Sequence, residues 1–251
     1  TVDEAPASLG RAMRAAFKPE DVVRLLVFGP PQRILDKVWP ATLLAVLDHE
    51  WIVVVAAEEL QPEVSRCDFV DTLLVEMTII LLYGRLRLEF AAGVGTRSVM
   101  MQFNTVMENL YQEAVGILLN GEDGVSPFAG HDSDNSYAAL GTLPLKFQNA
   151  IIRYVLPGKR VLRLVHWPAV LGREWRIFRR ELAPEGVLVL TDCQMILISE
   201  EKARPWYKLE NGRKYGYIVT YYPLARVNAM QLSEHGPLNT INLDLRARGF
   251  G

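Results

Sequence analysis

The sequence has little of the chemistry that marks a disulfide-bonded, metal-binding or membrane-spanning protein. Its 251 residues include two cysteines, Cys67 and Cys193, and no pair of Cys or His residues has the spacing of a metal site. No stretch approaches the ~20 uninterrupted apolar residues of a membrane helix, and no charged start followed by an apolar run marks a signal peptide. We therefore expect a cytoplasmic protein with free thiols and no bound metal.

Motifs for catalysis and cofactor binding are also missing. The sequence has no GxSxG, no phosphate-binding GKS or GKT, and no GxGxxG. The segment His131 to Asn135 begins like a calcium loop, but Tyr137 and Leu143 stand where such a loop needs glycine and glutamate. The four histidines are scattered along the chain. The sequence thus predicts a protein without enzymatic activity or cofactor.

Charge is divided unevenly along the chain. Residues 1 to 138 contain 10 Lys and Arg against 20 Asp and Glu, whereas residues 139 to 251 contain 17 against 9. Two interpretations stay open. Either the acidic and basic halves attract each other, or the basic half faces an anionic partner, since a surface of one sign concentrates ions of the other.

An internal repeat organises the sequence. The segment Val187 to Glu201 has apolar runs on either side of a short polar break, which predicts a tight β-hairpin, and it matches Leu43 to Ala57 at an offset of 144 positions. Upstream, the residues around Pro19 match those around Pro157 at an offset of 138, each following a helix-like segment. Two blocks with consistent offsets indicate one structural unit used twice.

Alternating strands support a mainly β fold of the α+β class. Leu86, Leu88 and Phe90 alternate with charged residues, and Val99, Met101 and Phe103 continue the pattern as one more strand. The second copy shows the same alternation at Ile241, Leu243 and Leu245. Such alternation predicts bent antiparallel sheets that each have one face on a core.

A helix is predicted to close the first copy. Thr105 and Glu108 have the spacing of a capping box, Asn120-Gly121 supplies a stop, and an apolar stripe runs between them. The stripe consists of Val106, Leu110, Ala114 and Ile117. These signals predict an acidic, complete domain at 1–121, a linker at 122–142 and a basic domain at 143–251 whose last strand and helix are missing.

The hairpin and the segment after it resemble the pleckstrin-homology-like (PH-like) domains of bacteria, here in tandem. The resemblance is carried by Thr191-Asp192 in the hairpin and by Tyr222-Pro223-Leu224 before the next strand; the first copy has Asp48 and Phe69-Val70-Asp71 instead. The resemblance implies a bent sheet capped by a helix. It implies no activity, because such domains bind lipids, peptides and proteins alike.

The leading functional prediction is a non-catalytic scaffold that binds a protein or peptide, with self-association through the open edge of the second domain as a further expectation. The alternative is peripheral binding to anionic lipid at the inner membrane face, because PH domains that bind phosphoinositides carry cations on their first two strands. Nucleic acid is not favoured. The candidate ligand-binding residues are Lys159, Arg163, Arg173, Arg176, Arg179 and Arg180.

Overall fold

The computed structural model describes residues 2, 5–34, 37–57, 61–93, 95–120, 140–155, 159–174, 178–201, 216–235 and 238–247. The chain is mainly β, with several antiparallel sheets and a few helices, so the predicted fold class is confirmed. It divides into two compact units. Within these ranges, no helix has the length and apolar character to cross a membrane.

The first unit consists of Thr1–Val75, Leu82–Asp123 and Ala247–Gly251. Four of its strands form a sheet in the order β1-β4-β5-β6, strands β2 and β3 form a small hairpin, and β7, β8 and β9 follow one another in a second sheet. The elements are α1 (Ala7–Ala16), β1 (Val23–Gly29), β2 (Gln32–Ile34), β3 (Lys37–Trp39), β4 (Thr42–Leu47), β5 (Glu50–Val55), β6 (Glu63–Asp68), β7 (Thr72–Ile80), β8 (Tyr83–Ala92), β9 (Gly95–Asn104) and α2 (Glu108–Asn120).

The second unit consists of Glu76–Leu81 and Gly124–Arg246. Its main sheet has the order β10-β13-β14-β15, with the end of β7 beside β15, while β11–β12 and β16–β17 are separate hairpins. The elements are α3 (Leu145–Tyr154), β10 (Val161–Trp167), β11 (Val170–Glu174), β12 (Phe178–Ala183), β13 (Gly186–Thr191), β14 (Gln194–Glu200), β15 (Gly216–Pro223), β16 (Val227–His235) and β17 (Leu238–Leu245). Much of the predicted linker, residues 121–139, lies outside the described part of the chain, and the domain boundaries stay a prediction.

The two units repeat the same arrangement down to strand register. Helices α1 and α3 both have ten residues and lie 138 positions apart. The ladder of β1 with β4 shifts register between Val23 and Leu25, and the ladder of β10 with β13 shifts at the corresponding place, between Val161 and Arg163. The extra residues of the second copy fall in the β11–β12 hairpin, which is longer than β2–β3.

One sequence prediction needs correction in register. The strand ladders pair Trp51 with Cys67 in the first unit and Met195 with Tyr222 in the second, so Tyr222-Pro223-Leu224 corresponds to Cys67-Asp68-Phe69 and not to Phe69-Val70-Asp71.

The turn that leads into α2 is capped by Asn104, whose side-chain oxygen accepts a 3.0 Å hydrogen bond from the Val106 amide. The capping box of Thr105 and Glu108 stays a prediction.

The buried face of α2 also differs from the predicted stripe. Val106 lies in the 3-10 turn Thr105–Met107 that precedes the α-helix, and it is exposed. Leu110 is also exposed, whereas Ala114 of the predicted stripe is buried together with Tyr111, Val115 and Leu118. The predicted alternation in β8 and β9, in contrast, is confirmed by the burial of all six apolar side chains.

The core of the first unit forms between α1 and the β4–β5 hairpin. All six residues of β4 are buried, and Leu9 and Met13 of the helix pack against Leu43, Ala45 and Ile52. A strand buried on both faces explains why this segment reads as a continuous apolar run.

In the second unit the turn between β13 and β14 is closed by the Thr191 hydroxyl, which donates to the Gln194 carbonyl at 3.0 Å and accepts from the Gln194 amide at 2.9 Å.

Each unit ties the end of its helix to the sheet at the same point. In the first unit Arg66 on β6 donates to the Ala16 carbonyl at 2.8 Å, and in the second Tyr221 on β15 donates to the Tyr154 carbonyl at 2.8 Å. Arg66 also pairs with the carboxylates of Asp21 and Glu50. We call this contact the helix latch. The carbonyl at the end of the helix thus accepts a hydrogen bond from a charged side chain in one copy and from a neutral side chain in the other.

The ionic latch should make stability depend on pH. Hydrogen bonds from Arg66 hold the pKa of Asp21 and of Glu50 below their ordinary values of 3.8 and 4.5, although burial opposes the shift. A lowered folded-state pKa gives stabilisation that is present above the ordinary value and is lost as the pH falls through the folded value. We expect Arg66→Met to cost roughly 3 kcal/mol at pH 7, and the difference from wild type to shrink as the pH falls from 5 to 3.

Urea unfolding at several pH values measures that difference directly. Tyr221→Phe is the matched control, because it removes a neutral hydrogen bond to the equivalent carbonyl and should cost about 1 kcal/mol at every pH. A loss in Arg66→Met that stays constant between pH 7 and pH 3 would show that the ion pairs contribute nothing to the latch.

Candidate protein-docking surface

The hairpin of β16 and β17 has one apolar and one polar face. Its register pairs Met230 with Leu243 and Leu232 with Ile241, whereas the intervening residues are polar. The polar pairs are Gln231 with Asn242 and Ser233 with Thr240. Because successive side chains of a strand point to opposite faces, the four apolar residues share one side of the hairpin. We call them the apolar face.

The apolar face is exposed, whereas its counterpart on β7 and β8 is buried. Met230, Leu232 and Ile241 have 63%, 70% and 49% of their surface exposed. The residues at the corresponding positions of β7 and β8 are fully buried; they are Val75, Met77 and Leu86. The same positions of the repeat thus have opposite environments.

A strand accounts for part of the burial in the first unit. Strand β9 pairs with the outer edge of β8, so that Met101 lies opposite Leu86 and Val99 opposite Leu88. The chain then enters α2, where Tyr111 stacks on Phe103 of β9 with ring centroids 3.9 Å apart. In the described part of the second unit, no strand pairs with the outer edge of β17.

An isolated hairpin of this kind is physically incomplete. Two-stranded sheets are marginal in water, and stable sheets need a third strand or a helix over their apolar face. A free edge also presents unpaired amide and carbonyl groups to any extended segment. Exposed apolar side chains beside a free edge are therefore the features of a docking surface for another polypeptide.

The two units also differ in the last residue of their first strand, which is β1 in the first unit and β10 in the second. In the first unit Gly29 faces Thr42; a Cβ on Gly29 would lie 2.9 Å from the carbonyl oxygen of Gln102 on β9 and 3.0 Å from the Tyr111 hydroxyl of α2. The second unit has Trp167 in place of the glycine. Its indole donates to the Pro184 carbonyl at 3.0 Å, and its ring lies over Gly186, which takes the place of Thr42.

The predicted ligand-binding residues are only partly brought together. Lys159 lies within hydrogen-bonding reach of the Cys193 thiol, and Arg163 is exposed on β10. In the β11–β12 hairpin the backbone register sets Arg173 opposite Arg179 and Gly172 opposite Arg180. The side chains of Arg173, Arg179 and Arg180, and the whole of Arg176, lie outside the described residues.

A cluster of charges that sequence reasoning missed has a structural role. Lys146 on α3 bonds to Glu185 at 2.5 Å and also to Glu200, and His166 lies 2.9 Å from Glu185. Burial opposes the charged forms, but the mutual hydrogen bonds raise the pKa of Lys146 and lower the pKa of Glu185. The corresponding residues of the first unit are Ser8, Phe28, Ala41 and Ala56, so the cluster stands where the first unit has uncharged residues, three of them in or against its apolar core.

Neither thiol has the setting of a nucleophile. Burial raises the pKa of Cys67 to about 12 and also raises the pKa of Cys193. A thiol of this kind is protonated at neutral pH and therefore inert. Among the described residues, no group of three or more His, Cys, Asp or Glu side chains could hold a metal ion.

No protein-family model matches this chain, and no curated protein matches its sequence. Function must therefore be argued from the geometry described above. The sequence contained a usable signal for the apolar face, since the repeat aligns Met230 and Ile241 with the core positions Val75 and Leu86. It contained a second signal in the exchange of Gly29 for Trp167.

Stability should separate buried from exposed positions of the repeated sheet. We expect Leu86→Ala to cost about 2–5 kcal/mol, because it leaves a cavity in a packed core. Leu232→Ala makes the same chemical change at an exposed site and should alter the free energy of unfolding by no more than about 0.5 kcal/mol. Urea denaturation of both variants measures the difference. Equal losses would mean that the apolar face is covered in the folded protein.

Proposed function

We propose that this chain is a non-catalytic binding module that engages a protein or peptide through the apolar face of β16–β17. The observation that carries the proposal is the exposure of Met230, Leu232 and Ile241 at positions whose counterparts on β7 and β8 are buried. The repeated order of strands and the closing helix of the first unit support the interpretation of a tandem PH-like protein, a fold used widely for such binding.

The geometry suggests how affinity and specificity would arise. Burial of apolar surface contributes about 25 cal/mol per Å², so covering three exposed large side chains supplies a substantial driving force. The free edge of β17 adds backbone hydrogen bonds to an extended partner, and the spacing of its apolar side chains selects partners with matching alternation. Both contributions come from one hairpin and need no catalytic group.

Selection from a library of displayed random peptides tests the proposal. The immobilised chain should enrich peptides that bind the β16–β17 hairpin, and Leu232→Glu should weaken their binding at least about tenfold, because it places a charge in the apolar face. Gln231→Glu is the matched control, since it adds the same charge to the neighbouring residue on the opposite face. Binding should survive in the control.

Two results would count against this proposal. One is enrichment of peptides that bind both variants with wild-type affinity, which would place the binding site elsewhere. The other is a selection that yields no peptide with affinity above that of the unselected library.

A second candidate function is peripheral binding to anionic lipid headgroups, with the chain at the inner face of a membrane. It is favoured by Arg163, whose exposed guanidinium bonds to the Leu162 carbonyl at 3.2 Å and forms no ion pair with any described carboxylate. Arginine suits bidentate contacts to phosphate.

Cosedimentation with vesicles separates this candidate from the first. The lipid hypothesis predicts binding to phosphatidylserine vesicles that falls as salt is raised and is lost when Arg176, Arg179 and Arg180 are all replaced by Glu. The matched control replaces three exposed arginines of the first unit, Arg11, Arg14 and Arg97, by Glu. Equal binding by both triple variants, or no binding by wild type, contradicts the lipid hypothesis.

A further inference from the structure

We propose that the partner of the β16–β17 hairpin is a single extended strand that pairs with β17, and that Trp167 excludes a closing helix of the kind formed by α2. This inference rests on the proposed function and specifies the chemistry of the partner. The partner would have apolar side chains at alternate positions, with uncharged residues between them.

The edge of β17 carries few of the features that normally prevent strand addition. Exposed edges of natural sheets are blunted by charges, by proline or by a bulge. Strand β17 has no proline, and Asp244 is its one charged residue. That carboxylate is engaged, because Asn228 donates to it at 2.7 Å and Arg246 lies 3.5 Å away. An extended segment would meet an open, nearly uncharged edge.

The charge pattern of the hairpin indicates what the partner presents on its other side. In the first copy of the repeat, the corresponding polar face of β7 and β8 carries Glu76, Arg87 and Glu89. The second unit has Gln231 and Asn242 in place of the first two. A partner residue that faces these amides finds donors and acceptors but no counter-charge, which favours serine, threonine, asparagine or glutamine over a charged side chain.

The first unit shows where the inward residues of such a strand would lie. Met101 and Val99 of β9 face Leu86 and Leu88, whose equivalents in the second unit are Ile241 and Leu243. Two apolar partner side chains, two residues apart, would therefore lie beside Ile241 and Leu243. This placement would cover the part of the hairpin that the described residues leave open.

Trp167 sets the limit of the added segment. In the first unit the space beside Gly29 contains the Gln102 carbonyl at the end of β9 and the Tyr111 hydroxyl of α2. In the second unit the Trp167 side chain starts from the equivalent backbone position, and a Cβ added to Gly186 would lie only 2.5 Å from its ring. A strand that reaches the position of Gln102, or a helix in the position of α2, would collide with the Trp167 side chain. A strand that ends before the position of Gln102 fits.

Two synthetic peptides test this inference on the whole chain. One has the sequence of residues 95–101, which is the part of β9 before Gln102, and the other that of residues 95–120, which is β9 with α2. We expect fluorescence anisotropy to show binding of the short peptide, and the long peptide to bind wild type no more than about twofold tighter. Trp167→Gly should leave the short peptide unaffected and tighten the long one by about tenfold.

The controls locate the site and guard against misfolding. A short peptide with Val99 and Met101 both replaced by Glu should not bind, and Ile241→Glu in the chain should abolish binding of both native peptides. Should Trp167→Gly unfold, the double variant Trp167→Gly with Gly186→Thr recreates the Gly29–Thr42 pair of the first unit. Thermal unfolding shows which variant is folded.

Each outcome decides the inference separately from the proposed function. Tenfold tighter binding of the long peptide to wild type would show that a helix is accepted, and no gain in either Trp167 variant would show that the indole excludes nothing. Failure of the short peptide to bind would overturn strand addition at β17. In all three cases, library peptides that depend on Leu232 would leave the proposed function intact while this inference fails.

Discussion

The structure depends on one constraint, which is that the apolar face of every sheet must be covered. In the first unit, α1 covers the β4–β5 hairpin, β9 pairs with the edge of β8, and α2 packs against β1 and β4. The second unit repeats the first of these arrangements with α3. Its β16–β17 hairpin stays uncovered among the described residues, and the functional argument follows from that difference.

The repeat also shows that the two units keep their geometry while changing their chemistry. The end of the helix is held at the same carbonyl by arginine in one copy and tyrosine in the other. The contacts of the helix start with the sheet are apolar around Ala41 and ionic around Glu185. The strand ladders and the helix thus fix the position of the backbone. The side chains at these contacts are charged in one unit and uncharged in the other.

Much of the fold was predictable because strand and helix periods are local properties of the sequence. The two offsets of the repeat, the tight hairpin at Asp192 and the alternation in β8 and β9 all follow from patterns over a few residues. The exposure of Val106 was not predictable, because the 3-10 turn that contains it, capped by Asn104, is not visible in the composition. The open edge of the second domain was expected from the sequence, and the basic site residues stay a prediction. The exposure of Met230, Leu232 and Ile241 was not expected, because charge is visible in a sequence and exposure is not.

The exchange at Gly29 and Trp167 links architecture to function. A glycine at the end of β1 leaves room for β9 and α2, so the first unit closes on itself. A tryptophan at the end of β10, matched by Gly186, fills that end with its own ring and anchors the indole to Pro184. The bulk at this end of the second unit therefore comes from β10 itself. The change involves two substitutions at facing positions, Trp for Gly and Gly for Thr, and the large side chain on one strand is matched by the absence of a side chain on the other.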